Sequence, residues 1–107
     1  MENPIDLNLL KEQVLDTIKT VYDPELPVNI YELGLVYDIQ ITEAREAVIL
    51  MTLTAPNCPE AEGLPVEVER KVMEIPEITK CKVIITFDPP WERSYMSEVA
   101  QIELGFF

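Results

Sequence analysis

The chain contains no histidine. That absence removes a histidine general base, a Cys–His nucleophile pair and every histidine-containing metal site built by this chain alone. Cysteine is nearly as scarce. Cys58 and Cys81 are the only two, they lie far apart, and no Cys-x-x-Cys pair exists to form a dithiol redox centre or a closed zinc or cluster site. Three glycines leave no glycine-rich phosphate loop. Positive charge is also short: eight Lys and Arg stand against twenty Asp and Glu, for a net charge of -12. Binding to a phosphate backbone depends on cations that release counterions, so a nucleic-acid partner is not expected; a basic protein partner fits the charge, but acidity more often serves solubility alone. No apolar run approaches the roughly 20 residues that span a bilayer, and MENPIDLNLL lacks the basic start and long apolar centre of a signal peptide. The expectation is a cytoplasmic protein with no membrane association and two free thiols.

What is present describes a folded globule. With 107 residues, 48% hydrophobic and 26% charged, the chain is sized for one core, and residues 1–107 are read as a single domain. Leu7, Leu10, Val14, Ile18 and Val21 recur at steps of three and four, which predicts a helix over 7–21, capped by Asp6 or Asn8 and stopped near Asp23 by Pro24. Asp23 to Gly34, DPELPVNIYELG, reads as a shaped loop with one short helical turn at Ile30 to Leu33. Its acids, Asp23 and Glu25, either face solvent or are held by Pro24 toward a site.

Leu35–Ile41 and Ala47–Thr54 are rich in β-branched residues and separated by TEARE, a hairpin signal. Alternation places Leu35, Tyr37, Ile39 and Ile41 on one face of the first strand. The second strand is apolar at almost every position, which predicts a central strand covered on both faces. Leu64, Val68, Val72 and Ile75 then form a helical stripe ended by Pro76. Pro65 leaves two starts open: a helix from Pro59 kinked near Pro65, or a preliminary turn at Cys58 with the main helix from Pro65. Lys80–Phe87 alternates as a third strand, with Cys81 on the apolar side as a small core residue. The rigid DPPW segment brings Trp91 to close the core. A short last helix follows, capped by Ser94 or Ser97, with Val99, Ile102 and Phe106 as its apolar side.

The stretch with most capacity for chemistry is Met51 to Glu62, MTLTAPNCPEAE. Here an apolar run ends in a turn bounded by Pro56 and Pro59 that delivers Cys58. A thiolate at a helix start is stabilised by unpaired N–H groups, strongly if the helix begins at Pro59 and less so if it begins at Pro65. Thr54 adds a hydroxyl. A lone thiolate among carboxylates, with no histidine, suits soft-metal ligation or thiol transfer better than hydrolysis. No complete catalytic constellation is visible, so the chain is not read as an enzyme.

The blocks DPELPVNIYELGLVYDI, MTLTAPNCPEAE and FDPPWERSYMSEVAQIELG, in this order and spacing, closely resemble the SufT/PaaD-like family of iron-sulfur cluster assembly factors. The likeness runs from about Asp23 to Gly105. It implies an α+β domain, a three-stranded mixed sheet packed by about three helices in the order α-β-β-α-β-α. It also implies a cleft between the acidic loop and the threonine-to-cysteine turn. Carried over by position, Asp23, Glu25 and Leu26 match the first element, and Thr54 and Cys58 the second. Ala55 stands where family members often have another hydroxyl. The phenylacetate-degradation branch usually carries a cysteine-rich C-terminal segment that is not seen here, so the SufT-like branch is expected. The implied role is accessory: delivery or insertion of iron-sulfur clusters, with Cys58 as a ligand for a transient cluster or iron, shared with a partner or second chain. Expected partners are iron-sulfur assembly proteins and client apoproteins, and a homodimer would pair two Cys58 thiols. The rival readings are a metal-free adaptor and a PaaD-like accessory subunit.

Overall fold

A computed structural model describes residues 6–22, 27–54 and 63–105. The elements are α1 (Leu7–Ile18), β1 (Val36–Ile41), β2 (Glu46–Met51), α2 (Leu64–Met73), β3 (Lys80–Ile85) and α3 (Glu98–Glu103), with a 3-10 turn at Arg93–Tyr95 before the last helix. The order is α-β-β-α-β-α, as expected, and the sheet has three strands in the order β1-β2-β3. β1 and β2 form an antiparallel hairpin, while β2 and β3 run parallel through the α2 crossover.

α1 starts where Asp6 accepts from the N–H groups of Asn8 and Leu9, satisfying donors that the first turn leaves unpaired. Leu10, Val14 and Ile18 are buried along one stripe. The helix ends short of Val21: the Thr20 and Val21 N–H groups close tighter turns onto the Thr17 and Ile18 carbonyls, and the Val21 carbonyl accepts from Ile30 N–H at 2.9 Å beside an isolated bridge between Tyr22 and Asn29. Val21 is still fully buried, so its place in the apolar stripe reports the core rather than the helix.

The helical turn expected at Ile30 to Leu33 is present. The Asn29 side chain accepts from Glu32 N–H, and the turn closes with Gly34 N–H to the Tyr31 carbonyl and Leu35 N–H to the Ile30 carbonyl. This is the Schellman pattern, with Gly34 at the left-handed position, φ 79°.

β2 is central, but only one of its faces is sealed. Ala47, Ile49 and Met51 are fully buried beneath the helices, whereas Val48 and Leu50 on the other side are half-buried. The covering is one-sided because α1 packs on α2 and β1, and α2 on β3, all on the same layer. The alternation of β1 also fails at one point. Val36 pairs with Met51 and Asp38 with Leu50, so a bulge inserts Tyr37 and sets it beside Asp38, opposite Leu50. Tyr37 therefore leaves the face that carries Ile39 and joins the outer face.

α2 buries Leu64, Val68 and Val72, with Gly63 as N-cap and Pro65 in the first turn, where its missing N–H costs no helical bond. β3 ends at Ile85, and Phe87 is exposed. Trp91 packs partly buried against the core and donates its indole N–H to the Leu33 carbonyl at 2.7 Å. Ser97 caps α3 through Ala100 N–H. Of the predicted apolar side of α3, Val99 and Ile102 are each 60% exposed while Ala100 is fully buried, and Phe106 lies outside the described residues. So short a helix takes its orientation from the tight fit of Ala100, not from its largest side chains.

Candidate functional site

Asp23, Glu25, Leu26 and Cys58 lie outside the described residues, so what can be built is the frame that holds their two segments. Thr54 is the one expected site residue within the described chain. It is half-buried at the end of the stretch that leaves β2.

That exit is clamped on both sides. Thr52 N–H donates to the Leu35 carbonyl at 2.7 Å, and Thr86 N–H donates to the Met51 carbonyl at 2.9 Å. Leu35 N–H in turn reaches the Ile30 carbonyl at 3.0 Å, and Ile30 N–H reaches the Val21 carbonyl at 2.9 Å. A continuous series of backbone bonds thus runs from the root of segment 55–62, across the Gly34 turn, to the root of segment 23–26. Val21 and Thr52, which lie shortly before the two segments in sequence, are thus tied to the same end of the sheet. The sequence predicts this only indirectly, through the glycine and asparagine that make the intervening turn.

Two residues that sequence reasoning did not single out also belong to this frame. Thr52 is the one fully buried polar side chain among the described residues, and its hydroxyl donates to the Leu53 carbonyl at 3.4 Å. Tyr37 donates its phenol to the Pro89 carbonyl at 2.9 Å and meets Tyr95 edge-to-face at 6.0 Å between ring centroids. Burial raises the Tyr37 phenol above its usual range, the neighbouring Tyr95 adds to this, hydrogen bonding with Thr52 opposes it, and Glu92 contributes a further rise. The available signal for Thr52 was a hydroxyl within an otherwise apolar run. The position of Tyr37 had no such signal, because it depends on the bulge.

The ligand chemistry separates the two thiols. Cys81 is 5% exposed in β3, and burial pushes its pKa up to about 11, with Glu69 adding to the rise. A thiol that resists ionisation inside an apolar core is a packing residue, as its strand parity predicted. No group of three or more Cys, Asp and Glu side chains among the described residues is placed to hold a metal ion. The helix-start argument for Cys58 also narrows. α2 opens at Leu64, so the unpaired N–H groups of its first turn follow Gly63 rather than Cys58.

Among the described residues, no helix is long and apolar enough to cross a membrane. Comparison with known proteins bears directly on the fold and its family. A solved structure of a domain of unknown function, DUF59, from Bacillus anthracis superposes with a TM-score of 0.88 at 35% identity, covering 98% of this chain and 100% of that one. A conserved hypothetical protein from Thermotoga maritima gives 0.79 at 37% identity, covering 98% and 99%. In sequence, the Fe-S protein maturation auxiliary factor of Porphyromonas gingivalis is 43% identical over 96 residues, 90% of this chain and 91% of the relative. The auxiliary factor SufT of Staphylococcus aureus is 40% identical over 85 residues, 79% of this chain and 97% of the relative. The family model described as iron-sulfur cluster assembly protein matches residues 11–85, a span that contains both segments of the expected cleft. The fold, the matched span and the near full-length relatives agree: this chain belongs to the iron-sulfur cluster assembly protein family.

Proposed function

We propose that the protein is an accessory factor in iron-sulfur cluster assembly, of the SufT-like kind, that passes clusters or iron to client apoproteins through Cys58. The observation that carries the reading is the family match over 11–85, supported by relatives named as maturation auxiliary factors and, at lower identity, as an iron-sulfur cluster carrier protein. The cluster is cargo here. Cys58 would supply the soft thiolate, Thr54 a hydroxyl beside it, and Asp23, Glu25 and Leu26 the facing wall that positions the thiol and tunes its ionisation. A cluster needs more thiolates than one chain offers, since Cys81 is committed to the core. The remaining ligands would come from an assembly protein, a client or a second copy of this chain. Incomplete coordination suits a carrier, because cargo held by few ligands is released readily to an apoprotein with a full set. The role is non-enzymatic in this reading, and the cytoplasm is its setting.

The test is anaerobic maturation of an apo client, with iron and sulfide measured on the product. Cys58→Ser is expected to lower client cluster occupancy sharply at unchanged protein stability. Occupancy equal to wild type would rule out the thiolate role.

A further inference from the structure

One face of the sheet carries α1 and α2, and on the other, among the described residues, 88–96 fold back over the end at Gly34. On that outer face lie Tyr37 and Asp38 of β1, Val48 and Leu50 of β2, and Lys82 and Ile84 of β3. Val48 and Leu50 are half-buried and Ile84 is 38% exposed. Where the returning segment meets the bulge, a groove of about 520 Å³ is bounded by Tyr37, Leu50, Pro89 and Tyr95, with Asp88 on its wall. Asp38 stands beside Tyr37, and Glu92 is close enough to act on the Tyr37 phenol. Asp38, Asp88 and Glu92 have no salt bridge among the described residues, where the one ion pair is Lys71 with Glu67 on α2. Of the nearby cations, Lys82 sits across from Val48, toward the far end of the face, and Arg93 is engaged in an interaction of its own.

We propose that this groove docks an extended segment of a partner protein in which arginine stands next to an apolar or proline residue. The apolar residue would lie against Leu50 and Tyr95, with the guanidinium at Asp88. Charge selects this occupant. A second copy would bring another net charge of -12 toward the same carboxylates, and nucleic acid or an anionic membrane would bring phosphates that they repel. A guanidinium instead pairs with a carboxylate through two hydrogen bonds and stacks on tyrosine rings. The molecule already seats one cation this way, Lys19 Nζ over the Tyr31 ring at 5.0 Å. Shape points in the same direction, since an open trough walled by tyrosine and proline matches the aromatic grooves that take proline-rich extended peptides. The surface requires only the fold and does not depend on the thiol role of Cys58.

The experiment is an NMR titration of the full ¹⁵N-labelled chain with a synthetic octapeptide alternating Arg with Pro and Trp, and with its Glu-for-Arg counterpart. Shifts confined to residues 36–38, 50 and 88–95 are expected with the Arg peptide and none with the Glu peptide. Asp88 is exposed and its carboxylate makes no hydrogen bond among those described, so Asp88→Lys is expected to keep the spectrum of a folded protein and weaken binding about tenfold or more. Asp88→Asn should give an intermediate loss, and Cys58→Ser should bind as wild type, which separates this surface from the proposed cargo site. Equal affinity for wild type and Asp88→Lys would overturn the proposal, as would shifts spread over the acidic faces of α1 and α2. Groove shifts that follow protein concentration without peptide would assign the surface to a second copy instead.

Discussion

Gly34 offers the sharpest test of how the frame is held together. Its φ of 79° is one that L side chains adopt at a cost of about 1–2 kcal/mol. It also has no room: a Cβ built there falls on the backbone carbonyl of Tyr95. Backbone cannot rotate away as a side-chain tip can, so Gly34→Ala must push the 3-10 turn off the Ile30–Gly34 turn. Two bonds join these segments, Ser97 N–H to the Glu32 carbonyl at 2.8 Å and the Trp91 indole to the Leu33 carbonyl at 2.7 Å. Weakening them adds about 1 kcal/mol each, for a total of about 3–4 kcal/mol, a large share of a typical domain's 5–15. Gly105 is the matched control. Its φ is 74°, yet nothing lies within 4 Å of a Cβ built there, so Gly105→Ala should carry the backbone cost alone, about 1–2 kcal/mol. Urea unfolding followed by far-UV circular dichroism reads both. With an m-value of about 1.5 kcal/mol/M, Gly34→Ala should lower the midpoint by about 2–2.5 M, and Gly105→Ala by about 1 M. Midpoints that fall by the same amount would refute the close-approach argument and leave only the backbone preference.

Further outcomes follow from the core. In a Cys58→Ser background, Cys81 should resist iodoacetamide at pH 8 until the protein unfolds, and rapid native-state alkylation would contradict its placement. Its folded pKa is raised from 9.0 to about 11, so the associated stability is fully present below pH 9 and is lost as pH climbs toward 11. Urea stability over that range should therefore fall more steeply in wild type than in Cys81→Ala. Trp91→Phe keeps an aromatic ring but removes the donor to Leu33, and should cost about 1–2 kcal/mol in urea unfolding monitored by circular dichroism. An unchanged midpoint would mean that water replaces the indole without loss.

The parts of the fold legible in the sequence are those where one physical signal dominates. The stripe of Leu10, Val14 and Ile18 specified a helix face, and the nearly continuous apolar run of β2 specified a central strand. Cys81 read correctly as core from parity alone. Where two signals compete, the sequence is ambiguous. Pro65 fits either a kink or a first turn, and the choice falls on the first turn because Leu64 is already buried at N1. The outward Val99 and Ile102 show that large apolar residues do not orient a six-residue helix when a small one makes the tighter contact. The β1 bulge leaves no mark in composition, yet it moves Tyr37 to the opposite face. As for the site, the acidic loop and the cysteine turn became a cleft only through family resemblance. Asp23, Glu25, Leu26 and Cys58 fall outside the described residues, and the structure adds the backbone bonds that link Val21, Ile30, Leu35 and Thr52 near them in sequence.

Those bonds have a dynamic consequence. Thr52, Leu35 and Ile30 each donate to the next strand or turn in a series, with their side chains fully buried, so their amides should exchange with solvent as one cooperative unit rather than independently. A local opening at one of them would break a bond that also supports the next. This end of the sheet should then open only at close to the cost of unfolding the whole domain, which native-state hydrogen exchange at these three amides would read.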